Sequence, residues 1–124
     1  MSEIRATTIS DAAGTGPIAL TKQSAAKAWA NINGTPVTRD SQNVSSVTDN
    51  GTGDHTLNFA NNMGNALYAS TLTTHFGVCY VAQSGGNPLD YTASTIRINT
   101  VNASSLNSKA DKDSYYGAIH GDLA

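Results

Sequence analysis

The chain has 124 residues, 39% of them hydrophobic and 13% charged, with a formal net charge of −2. That is one domain's worth of chain, and its charged fraction is about half the roughly 25% of ordinary soluble domains, which excludes an electrostatic footprint for nucleic acid or an anionic membrane. No apolar run reaches the ~18 residues that a spanning helix needs. Residues 1–5 lead into polar sequence without an apolar signal core, so the expectation is a chain made and kept without Sec-type export.

Thr, Ser and Asn together fill 40 positions, whereas the acids are eight Asp and the single Glu3, with only four Lys. Helical proteins draw on Glu, Lys and Leu, so this composition favours strands and tight turns. Cys79 is alone, which excludes an intrachain disulfide framework and a cysteine-rich zinc site. The stock of large apolar residues is modest for an independent core, and oligomerisation is the natural remedy.

In chain order, residues 1–24 read as an N-terminal docking arm or linker, with Ile4, Ile9, Ile18 and Leu20 as its apolar contacts; a frayed terminus is the alternative. From Ala26 the period becomes two: Ala26, Ala28, Ala30 and Ile32 alternate with Lys27, Trp29, Asn31 and Asn33. Residues 25–28 alone would also suit a helix. Asn33-Gly34-Thr35-Pro36 is a turn, and short extended pieces follow over residues 37–39 and 43–47.

Asp49-Asn50-Gly51-Thr52-Gly53-Asp54 is the densest turn signal, with residues able to take positive φ at several positions. It feeds a strand over residues 55–59. Residues 67–74 alternate as a strand, and residues 76–82 are apolar on both faces, the mark of a central strand. Ser84-Gly85-Gly86-Asn87-Pro88 is a loop. Residues 95–101 form the next strand, residues 102–113 a polar connection, and residues 114–120 the last strand. About seven short strands with a turn every ten residues or so predict an all-β fold, an antiparallel β-sandwich of jelly-roll-like form, over residues 25–124.

Signals for chemistry are sparse. His55, His75 and His120 stand in no metal-ligand spacing and read as surface or interface imidazoles. One His per chain around a three-fold axis is the arrangement that leaves a metal site open. Residues 49–54 lack the acid ladder and following Glu of a calcium loop. Asp40, Asp49, Asp54 and Asp90 fall in apparent loops with nothing pairing them as glycosidase carboxylates, and no Ser has a nucleophile setting. Cys79 in an apolar strand reads as a small hydrophobe. The expectation is therefore no enzyme, no cofactor and no metal. Trp29 suits a core or subunit interface better than a sugar platform, and Phe59, Phe76, Tyr80 and Tyr115 join it as core or interface residues.

Two stretches carry a resemblance. Ala25-Ala26-Lys27-Ala28-Trp29-Ala30-Asn31-Ile32-Asn33-Gly34-Thr35 and Asn43-Val44-Ser45-Ser46-Val47-Thr48-Asp49-Asn50-Gly51-Thr52-Gly53-Asp54-His55-Thr56-Leu57-Asn58-Phe59 resemble a module of tailed-bacteriophage virion proteins of the tail fibre type. Asp113-Ser114-Tyr115-Tyr116-Gly117-Ala118-Ile119-His120-Gly121-Asp122 is similar to that module's closing strand. Ile32, His55 and His120 depart from the pattern, where Phe, Tyr and an aromatic are common. The resemblance implies a β-rich, homotrimeric domain on a virion, made in the host cytoplasm, with no catalytic residues. A short arm before the module suits a spike, a fibre tip or a capsid-decorating cement protein whose partners are other virion proteins. The alternative is a receptor-binding tip for a host surface glycan or protein, using the loops that carry Asp49, Asn50, Asp54, Asn87 and Tyr91.

Overall fold

The alternation that opens at Ala26 becomes strand β1 (Ala28–Asn33), whose Ala28, Ala30 and Ile32 turn inward while Trp29 and Asn31 turn outward. The computed structural model describes residues 25–82 and 91–124. Among them the strands after β1 are β2 (Thr38–Gln42), β3 (Val44–Gly51), β4 (Asp54–Phe59), β5 (Ala69–Thr74), β6 (Gly77–Val81), β7 (Thr95–Asn102), β8 (Ser105–Lys109) and β9 (Ser114–His120). All pairings are antiparallel. One sheet has the order β2-β1-β9-β5; the other has β3-β4-β7-β6, with β8 added on β7. The architecture is an antiparallel β-sandwich.

Its core lies between the inner faces. Ala28, Ala30 and Ile32 meet Tyr115 and Ile119 of β9, Leu57 and Phe59 of β4, and Ile96 and Ile98 of β7; Val44, Val47, Leu72, Cys79 and Val81 close the margins. Burying such side chains is worth roughly 1.5–3 kcal/mol each, which is what holds two half-polar sheets together. Tyr68 seals one end, its hydroxyl donating to the carbonyls of Thr92 and Thr95 while its ring meets Phe59 edge-on.

Among the described residues the strands number nine rather than about seven, and the addition is informative. β8 lies inside the polar stretch expected to be a mere connection: Asn107, Ser108 and Lys109 are all exposed, so no hydrophobic period announces it. Its backbone pairing with β7 defines it. β6 is likewise not central. It is an edge strand, and the centre of its sheet is β7, where Ile96, Ile98, Asn99, Thr100 and Val101 are all buried. Apolar residues on both faces of β6 mean one face in the core and one face bare. Leu67, expected inside the fifth strand, precedes it and is 88% exposed, because an Asx turn at Asn65 receives its amide.

The chain crosses between sheets at His75 and Phe76. Phe76 sits at φ 53°, a left-handed conformation that bulky residues avoid. Asn43 takes φ 55° at the crossing from β2 to β3, where its side chain binds the backbone of Asn61. The dense turn signal is the β3–β4 hairpin, with Gly51 at φ 121° and Gly53 at φ 61°.

Candidate interaction surface

The hairpin tip is held down by contacts from far along the chain. The Gly53 amide donates to Asp111 Oδ1 at 2.7 Å, and its carbonyl accepts from the Thr100 amide. Asp54 therefore does not stand in an exposed contact loop as expected. It is 5% exposed on the outer face of β4, where Arg97 Nε and Nη2 bind its two oxygens at 2.7 and 2.9 Å and Lys109 Nζ joins them. The Arg97 hydrogen bonds, with help from Lys109, overcome desolvation and hold the Asp54 carboxyl down at about 2. A turn motif reads as exposed because it is local; the two cations that bury Asp54 lie 43 and 55 residues away.

Asp49 and Asn50 do remain exposed at the end of β3. Tyr91 is half-buried, its ring 5.0 Å from Tyr68. Asn87 and the arm residues Ile4, Ile9, Ile18 and Leu20 lie outside the described residues.

His55 is not a surface imidazole. It is fully buried beneath the hairpin, stacked on Tyr115 at 5.2 Å between ring centres, and neither ring nitrogen has a hydrogen-bond partner. Asp49 and Asp111 approach its Nε2 at 4.0 and 3.9 Å. Burial pushes its pKa below the ordinary histidine value, against the pull of those carboxylates, so the ring is neutral at pH 7. Among the described residues no group of three His, Cys, Asp or Glu side chains converges as a metal site. Burial raises the Cys79 thiol to about 12, so it stays protonated at neutral pH.

Of the aromatic residues read as core or interface, Phe59 and Tyr115 are buried in the sandwich. Phe76 and Tyr80 are not. Phe76, in the turn that enters β6, is 82% exposed, and on β6 itself Val78 (38%) and Tyr80 (36%) face outward at a spacing of two. That strand carries neither charge nor proline, the usual devices that protect a sheet edge.

Trp29 lies on the opposite outer face, that of the four-stranded sheet. Its Nε1 donates to Gln42 Oε1 at 3.1 Å, across the β1–β2 pair. On its other side the register places Ala118 and then Thr71, and the next row runs Asn31, Tyr116, Thr73. A methyl group between an indole and a threonine leaves a trough of about 360 Å³. Asn31, Thr71, Thr73 and Tyr116 were not singled out from the sequence, although the alternation of β5 and β9 puts the last three on one face.

No family model, curated protein or solved structure matches the chain.

Proposed function

We propose that the chain is a structural domain of a tailed-phage virion surface, fibre- or spike-like or capsid-decorating, which assembles as a homotrimer and docks through its N-terminal arm. The observation that carries this reading is the exposed apolar group of Phe76, in the turn entering β6, with Val78 and Tyr80 on that uncharged edge strand. A monomer gains nothing from holding a phenylalanine at positive φ in water, whereas a subunit contact rewards it. The motif resemblance supplies the virion and the three-fold symmetry, and the low surface charge suits a particle exterior that tolerates changes of salt. The reading assigns the domain no catalysis and no cofactor.

Light scattering of the purified protein tests it. The expected mass is three times the 12.8 kDa of one chain, falling to one chain mass in a Phe76→Ser, Tyr80→Ser double variant. A stable wild-type monomer at micromolar concentration, absent from purified virions, overturns it. The exposed Asp49 and Asn50 favour a second reading as a receptor-binding tip, which requires the purified protein to compete with phage adsorption.

A further inference from the structure

Thr, Ser and Asn side chains cover both outer faces of the sandwich, yet they behave differently. On the five-stranded sheet they bond to one another: Asn58 Nδ2 donates to Ser46 Oγ and Thr48 Oγ1, and Asn50 Nδ2 to Thr56 Oγ1. On the four-stranded sheet Asn31, Thr71 and Thr73 make no side-chain hydrogen bond among the described residues, and Asn31 Oδ1 is buried without a partner. These free groups surround the apolar trough beside Trp29, whose indole is fixed in orientation by Gln42.

From that juxtaposition we infer that the trough is a carbohydrate-binding site for a neutral hexopyranose unit of a glycan. A pyranose has one face of C–H bonds and a rim of hydroxyls that both donate and accept. The C–H face matches the indole and the Ala118 floor. The rim matches the Thr71 and Thr73 hydroxyls and the Asn31 amide, whose buried oxygen gains a donor when the side chain turns outward. No lining residue carries a formal charge, which selects a neutral sugar over a uronic acid or a sulfated chain. The volume of about 360 Å³ accommodates one ring with its linkages, which fits a sugar within a chain. The inference goes beyond virion assembly and does not depend on it, because the trough lies on the four-stranded sheet and Val78 and Tyr80 lie on the other.

Trp29 is the only tryptophan, so its emission reports the trough directly. The purified protein is titrated with cellohexaose, maltohexaose and lactose, with hyaluronan oligosaccharide as the charged control. A saturable shift in Trp29 emission with a neutral sugar is expected, with a Kd of about 1 mM. Ala118→Leu fills the trough and abolishes the shift. Thr71→Val keeps the shape and removes one hydroxyl, weakening binding roughly fivefold, and it settles the matter should Ala118→Leu fail to fold. The inference is overturned by no response to any neutral sugar, by a stronger response to hyaluronan, or by wild-type binding in both variants. It is also overturned by emission that shifts with protein concentration alone, which assigns the trough to a second copy of the chain. A monomeric mass in light scattering with intact sugar binding would remove the trimer and leave this site standing.

Discussion

The two outer faces of the sandwich are built from the same residue types and are finished in opposite ways. On the five-stranded sheet, Asn58, Asn50 and their Ser and Thr neighbours close a ladder, and Asp54 is neutralised by Arg97 and Lys109. On the four-stranded sheet, Trp29 and Tyr116 rise beside Ala118; the Tyr116 hydroxyl donates to Ser114 Oγ, whereas those of Thr71 and Thr73 bond to nothing among the described residues. The difference shows that surface polarity alone says little about role. A polar group that is already satisfied stabilises its own sheet, whereas one left free beside an aromatic ring is available to a ligand.

The sharpest way to break the first face is at the hairpin that roofs it. A methyl at Gly53 would overlap the Thr100 carbonyl and the Ala110 amide at a φ that L-residues rarely adopt. Gly53→Ala is therefore expected to cost about 4 kcal/mol, measured by urea unfolding. Next comes Asp54→Ala, which leaves Arg97 and Lys109 facing each other without their shared anion and should cost about 2–3 kcal/mol.

Acid gives an independent view of the same cluster. The folded Asp54 carboxyl titrates at about 2, below the ordinary 3.8, so the unfolded chain takes up its proton first. Its stabilisation is complete above pH 4 and is lost between about pH 4 and pH 2, and Asp54→Asn should flatten that part of the stability profile. His55 acts in a higher window. Its folded pKa lies below the ordinary 6.5, so the unfolded chain binds a proton that the buried ring refuses, and stability declines as pH falls below 6.5. In His55→Phe that decline disappears while the Asp54 decline remains, as denaturation midpoints across pH would show.

The smallest effects draw the contrast between faces most directly. Asn58→Ala removes hydrogen bonds to Ser46 and Thr48 and should cost about 1 kcal/mol. Thr73→Val on the other face removes a hydroxyl that bonds to nothing among the described residues and should change stability by less than about 0.3 kcal/mol. Equal costs at the two positions would erase the distinction.

How much of this was legible in the sequence follows from how local each signal is. β1, β4, β7 and β9 show in the alternation of their own residues, and the β3–β4 turn shows in its glycines. The β-sandwich class followed from them. β8 was hidden because its residues are polar and exposed, so only its partner β7 makes it a strand. The β6 sequence reads as central because an exposed apolar row and a core row are equally apolar, and composition does not separate them. Asp54 and His55 were misplaced for one reason: the groups that bury them come from β7, β8 and the β8–β9 connection, beyond any window of sequence. The trough beside Trp29 needs the register of four strands at once, and a single strand carries only its own share of that.

The pairing of β1 with β9 has a temporal side. Ala28 faces Ile119 and Asn33 faces Ser114, so the first described strand sits at the middle of its sheet between β2 and the last strand of the domain. Until β9 has left the ribosome, β1 can form only its hairpin with β2 among the described strands, and β5 has none of them to pair with. The four-stranded sheet thus closes in one late event. Such long-range closure slows folding, and it makes the four-stranded sheet depend on the integrity of β9.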